Sequence, residues 1–125
     1  MSIGPWFLRV LILIVFLFGT GSSTGFSELE EAAYEHNRAG MANMSMARFE
    51  EAITEFEKAA ALASDYQIRG RSLIYTPIFM TAWAYEKLGR LHEACKYYRE
   101  FLTVAPTEMV EETKADHARA FLADC

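Results

Sequence analysis

A chain of 125 residues, 52% hydrophobic and 23% charged, has the balance of a folded globular protein and room for one domain. Its net charge is −5, and all 17 acidic residues lie after Phe26, so the part of the chain beyond that point is more acidic than the whole. This sign argues against nucleic-acid binding, which calls for a basic face to replace counterions on phosphates.

Residues 1–25 read as a leader outside the fold. Arg9 gives a positive flank, residues 10–18 are unbroken apolar sequence, and residues 19–25 are small and suited to signal-peptidase cleavage. The apolar run is shorter than the ~20 residues a helix needs to cross a bilayer. Counting back through Trp6, Phe7 and Leu8 lengthens it only by taking in Arg9 and Pro5. A cleaved export signal is the expectation, with an uncleaved anchor or a misassigned start as alternatives. The protein is then exported, periplasmic or secreted, and meets a membrane only through residues 1–25 if they stay attached. No cysteine follows the apolar run, which argues against a lipid-anchored lipoprotein.

The rest, residues 26–125, reads as all-α. Ser27 and Glu30 fit a capping box, opening a helix to about 43 with Leu29, Ala32, Ala33, His36, Ala39 and Gly40 inward. A second helix, about 47–63, keeps Phe49, Ala52, Ile53, Phe56, Ala59 and Ala60 in register. Residues 64–75 hold Gly70 between Arg69 and Arg71, and two readings compete for the third helix. Either Thr76 caps a helix whose first position is Pro77, or the helix starts near Arg71 and bends at the proline. The first uses a position where proline's missing amide costs nothing. The second follows from Ile74, Ile78, Thr81, Tyr85 and Leu88, which hold one phase across Pro77.

A tight turn at Gly89 and Arg90 leads to a fourth helix, which sets Leu91, Ala94, Cys95, Tyr98, Phe101 and Leu102 on one face and stops at Pro106. Thr107 caps a fifth helix, about 108–123. Its inward face holds Val110, Lys114, His117, Ala118, Phe121 and Leu122, and Glu111, Glu112, Asp116 and Arg119 face water.

The second and fourth helices are two copies of one pattern. Setting Ala52 against Ala94 matches Arg48 with Arg90, Glu51 with Glu93, Phe49 with Leu91, Phe56 with Tyr98 and Ala63 with Ala105, while Gly40 falls opposite Ala82. The pattern resembles the tetratricopeptide repeat, a helix-turn-helix unit of about 34 residues. The resemblance implies a short all-α solenoid of two helical hairpins plus a C-terminal capping helix. Repeat one covers about 33–66, an inter-repeat segment about 67–74, repeat two about 75–108 and the capping helix about 108–123. Repeat-packing positions are Gly40, Phe49, Ala52, Phe56 and Ala59 in the first copy. In the second they are Ala82, Tyr85, Gly89, Ala94, Tyr98, Phe101 and Pro106. The copies depart from the family at Asn43, which stands where Tyr85 stands in the second, and at Ser64, which replaces the terminal proline. Neither has the tryptophan that opens the full consensus.

The resemblance implies a non-catalytic module that holds a protein or peptide partner in a concave groove lined by the first helix of each repeat. The groove positions are Tyr34, Asn37, Met41 and Met44 in repeat one and Phe79, Trp83 and Glu86 in repeat two. This face is adaptable at its methionines and aromatic at its other end, which suits a short hydrophobic segment. Because two repeats make a short array, Phe79 and Trp83 have two other readings: cover by the inter-repeat segment, or by a second copy of the chain. The paired lysine and asparagine with which chaperone-binding members clamp a carboxylate are missing, since Asn37 and Met41 stand there.

No enzyme, metal or cofactor is expected. His36, His92 and His117 lie on three helices without metal-ligand spacing, and no glycine-rich phosphate loop is present beyond the leader. Cys95 and Cys125 are not expected to pair. On an antiparallel fifth helix the level of Cys95 is regained near His117, which leaves Cys125 about 12 Å beyond, outside the roughly 7 Å that a disulfide spans. Cys95 is then a packed thiol, and Cys125 a free one able to link two chains.

Overall fold

The computed structural model describes residues 24–65, 73–105 and 112–125. These form five helices: α1 (Thr24–Ser45), α2 (Phe49–Asp65), α3 (Thr76–Lys87), α4 (Leu91–Val104) and α5 (Glu112–Leu122). Each packs on the next in the chain, so α1 with α2 and α3 with α4 make two hairpins, α2 joins them to one another, and α5 lies on α4. Among the described residues, no helix is long and apolar enough to cross a membrane.

The helix starts differ from the sequence reading in instructive ways. Helix α1 already runs at Thr24, so Ser27 lies inside the helix and not at the start the sequence expects. Helix α3 begins at Thr76, one residue before the proline, close to the first of the two readings and not near Arg71 with a bend. Pro77 occupies its first turn and Tyr75 is the N-cap residue, while Thr76 is itself helical and makes no cap. Leu73, Ile74 and Tyr75 form a turn before it, and Leu73 is fully buried. Arg69, Gly70 and Arg71, like Pro106, Thr107 and Val110, lie outside the described residues.

The corners of the two hairpins are the same structure. In the first, the amides of Ala47 and Arg48 donate to the carbonyls of Met44 and Asn43. In the second, those of Gly89 and Arg90 donate to Glu86 and Tyr85. Both corners thus pair one bond from the left-handed residue with one that reaches back five residues, as a helix ended by a left-handed residue requires. The left-handed residues are Ala47 at φ 56° and Gly89 at φ 72°, 42 positions apart. Glycine adopts this region freely, whereas alanine places its Cβ against a carbonyl oxygen. Ala47→Gly should therefore raise the stability by about 0.5–1 kcal/mol, read as a higher urea midpoint at unchanged slope.

Within each hairpin, a small residue on the first helix faces a ring on the second. A Cβ built on Gly40 would lie 2.5 Å from the ring of Phe56, so the glycine is what lets α1 and α2 approach. In the second hairpin the corresponding positions hold Ala82 and Tyr98, both fully buried in the main core with Ala52, Phe56, Ala94 and Phe101. Burying each such ring stabilises the fold by roughly 1.5–3 kcal/mol. A smaller cluster of Ala33, Ala63 and Leu73 closes the other end of the first hairpin, with Tyr34 packed on it.

Leu91 departs from its expected place. It is 57% exposed, because it is the first residue of α4, beside the corner of the hairpin where α3 has already ended. Its counterpart Phe49 is half-buried.

Candidate partner-binding site

Helix α3 is buried on most of its circumference, and its residues divide by where they point. Phe79 is 5% exposed and packs its ring against Phe101 and Tyr98, with centroids 5.1 and 5.7 Å away. Trp83, one turn on, is 36% exposed, and its ring lies 6.3 Å from that of Phe79. Helix α5 completes the surroundings. Thr113, Lys114 and His117 stand across from Phe79 and Trp83 and line with them an open cavity of about 240 Å³. The His117 ring meets Phe79 edge-on at 6.1 Å, and Lys87 Nζ sits 5.8 Å from the centre of the Trp83 ring. The cavity thus has an aromatic floor and a wall of mixed polarity.

Beside it, three helices meet in one polar cluster. The hydroxyl of buried Tyr98 on α4 donates to Glu86 Oε2 on α3 at 2.5 Å. His117 Nε2 on α5 lies 2.9 Å from that same carboxylate oxygen and 3.1 Å from the Tyr98 oxygen. Because both neighbours accept, Nε2 carries the proton and shares it between them. Burial, then the hydrogen bond to Glu86 and its charge, hold the Tyr98 phenol well above the ordinary tyrosine range. The neutral hydroxyl therefore stabilises the fold fully below the unfolded-state value of about 10, and that contribution is lost as the pH rises through the raised folded value. Tyr98→Phe should cost about 1–2 kcal/mol near neutral pH and should flatten the fall of the melting temperature above about pH 10.

The two cysteines do pair, against the sequence expectation. Cys95 and Cys125 form a disulfide with Cα atoms 6.3 Å apart. The reason is register. His117 and Phe121 flank Tyr98, the latter with rings 5.0 Å apart, so the residue one turn after Phe121 arrives beside the residue one turn before Tyr98. The sequence reckoning had set His117 level with Cys95 itself, about one turn out.

The tetratricopeptide repeat family model matches the chain twice, at residues 36–66 and 78–108. The matches are displaced by the same 42 positions that separate the two left-handed corners. The chain is a two-repeat tetratricopeptide protein. No curated protein and no solved structure matches it. Tetratricopeptide repeats are protein-interaction modules, and the first helices of the two repeats here are α1 and α3.

On the first repeat the groove positions scatter. Met41 is exposed, Met44 is half-buried against the main core, and Tyr34 belongs to the smaller cluster with Leu73. Asn37 is half-buried, and its Oδ1 is fully covered without a hydrogen-bond partner among the described residues. Next to it, His36 Nδ1 lies 2.6 Å from Glu55 Oε2 and ties α1 to α2. That hydrogen bond holds the Glu55 carboxyl below its ordinary value. The second repeat brings Phe79, Trp83 and Glu86 together around α5, and Glu86 is engaged by Tyr98 and His117. The repeats also bond to each other, the Tyr97 hydroxyl donating to Glu57 at 3.0 Å, while Tyr97 stacks on Tyr85.

The sequence reading missed that α5 supplies half of the cavity wall, through Thr113, Lys114 and His117. It also missed the Glu86, Tyr98 and His117 cluster. One signal for the cluster was present: Tyr98 stands where the first repeat has Phe56, and a hydroxyl at so buried a position requires a partner.

Proposed function

We propose that this chain is an exported, non-catalytic adaptor that holds a short apolar segment of a partner protein. The segment lies along α1 and α3 and seats one large side chain in the cavity beside Trp83. The observation that carries the reading is Trp83, a large aromatic left more than a third exposed at an open cleft floored by Phe79 and walled on its other side by α5. Such amphipathic aromatics at the mouth of an apolar recess are the usual anchors of protein interfaces. Met41, on the first helix of the other repeat, is exposed and adaptable and offers the segment a second apolar contact. The non-catalytic part of the reading is supported by the polar cluster, where Glu86, Tyr98 and His117 bond one another to fasten helices together.

Two observations support export. Residues 1–25 have the charge, apolar run and small-residue tail of a secretion signal, and the Cys95–Cys125 bridge suits an oxidising compartment. A mature N-terminus found by sequencing within residues 22–27 would support cleavage, and an intact Met1 would favour a membrane-anchored scaffold.

The groove is tested with Trp83→Ala. Short apolar peptides selected from a displayed library on the oxidised wild-type chain should bind the variant at least about tenfold more weakly. Its unfolding free energy should fall by about 1 kcal/mol or less. Equal binding of those peptides to the variant would remove the proposed seat. A large loss of stability would instead make Trp83 part of the core.

A further inference from the structure

The cavity beside Trp83 owes one of its walls to α5, and α5 is held by a small number of identifiable contacts. Ala115 and Ala118 are its buried residues. His117 reaches Glu86 and Tyr98, Phe121 packs on Tyr98, and beyond the end of the helix Cys125 is bonded to Cys95. The disulfide is the covalent member of this set and fastens the C-terminal end of the helix whose first turns, at Thr113, Lys114 and His117, face the cavity. Its two ends differ in access: Cys95 is buried on α4, whereas Cys125 is exposed. A thiol reagent therefore meets the bond from the Cys125 side.

We infer that the Cys95–Cys125 disulfide is a redox latch on the cavity: closed, it holds α5 as the wall opposite α3, and opened by a dithiol reductant, it releases α5 and abolishes binding there. The inference rests on the proposed seat at Trp83. The chemistry balances as thiol–disulfide exchange. A thiolate of the reductant attacks Cys125 Sγ, the sulfur–sulfur bond breaks, and Cys95 leaves as a thiolate that takes up a proton. The second thiol of the reductant then attacks the mixed disulfide, freeing Cys125 as a thiol and leaving the reductant oxidised by two electrons. With the bridge open, α5 keeps only the contacts of two buried alanines, His117 and Phe121, few for an 11-residue helix that is marginal on its own. Its release removes Thr113, Lys114 and His117 from the cavity and uncovers Phe79.

The test compares the full oxidised chain with the same chain treated with dithiothreitol and with the Cys95→Ser, Cys125→Ser double variant, which opens the bridge without reagent. Amide hydrogen exchange reports each helix separately, and indole serves as the probe of the cavity, followed by NMR shifts at Trp83 and His117. The expected result is about a 100-fold loss of protection confined to α5 in both open forms, with protection of α2, α3 and α4 retained. Indole binding should be present in the oxidised chain and at least about tenfold weaker in the open forms. Unchanged protection of α5 would overturn the latch, as would equal loss in all five helices, which would make the bridge a general stability element. Release of α5 with indole bound equally in every form would sever the latch from the cavity. Release of α5 with no indole bound in any form would overturn the seat at Trp83, and the latch on that seat with it.

Discussion

Truncating Phe56 to alanine should lower the unfolding free energy by about 3–5 kcal/mol, the largest effect expected of any single truncation in the first hairpin. The ring is fully buried in the main core, lies over Gly40 of α1, and belongs to the helix that joins the two hairpins. Removing it therefore takes away transfer energy and also leaves a void that α1 and α3 would both have to move to fill. Because α1 contacts the rest of the protein chiefly through α2, part of the loss should appear as weakened protection of α1 amides. Urea denaturation of the wild-type chain and the variant, combined with hydrogen exchange, measures both. A loss under about 1 kcal/mol would mean that the hairpin is not held together at this contact.

Gly40→Val should cost on the order of 3 kcal/mol, for the opposite reason. An added Cβ would stand 2.5 to 2.8 Å from three carbons of the Phe56 ring. The ring is enclosed and cannot swing away, so the helices must separate. Valine ordinarily improves on glycine in a helix by a few tenths of a kcal/mol, so intrinsic propensity works against this outcome and the clash must exceed it. The two substitutions should not add. In a Phe56→Ala background the valine methyls enter the vacated space, and the cost of Gly40→Val should shrink to about 1 kcal/mol or less. A double-mutant cycle reads this coupling, and strict additivity would contradict the close approach of α1 and α2.

The hairpins were legible in the sequence because their signals are local. Gly40, Phe56, Ala82 and Tyr98 repeat with fixed spacing, and Gly89 marks its corner through its backbone freedom. Ala47 did not mark the equivalent corner, since alanine gives no hint of a left-handed conformation that only the surrounding hydrogen bonds impose. What periodicity could not supply was the register between helices. The sequence placed His117 beside Cys95, but it sits beside Tyr98, and this one-turn shift changed Cys125 from a free tail into half of a disulfide. Registry across α4 and α5 is set by how Phe121 and His117 fill the space around Tyr98, a packing outcome with no periodic signature. The same holds for the candidate site. Helical spacing put Phe79 and Trp83 on one side of α3, but that Phe79 lies beneath the surface and Trp83 at it depends on where α5 docks. Leu91 shows the converse, an apolar residue in phase with the core that stays in water because its partner helix has ended.

The most direct test of two stacked hairpins closed by a third element is a set of NMR proximities in the oxidised full-length chain. The Gly40 α-protons should show strong nuclear Overhauser contacts to the Phe56 ring, and the His117 ring should show them to both Phe79 and Tyr98. Absence of the first set would contradict the first hairpin, and absence of the second would detach α5 and dissolve the cavity on which the proposed partner seat depends.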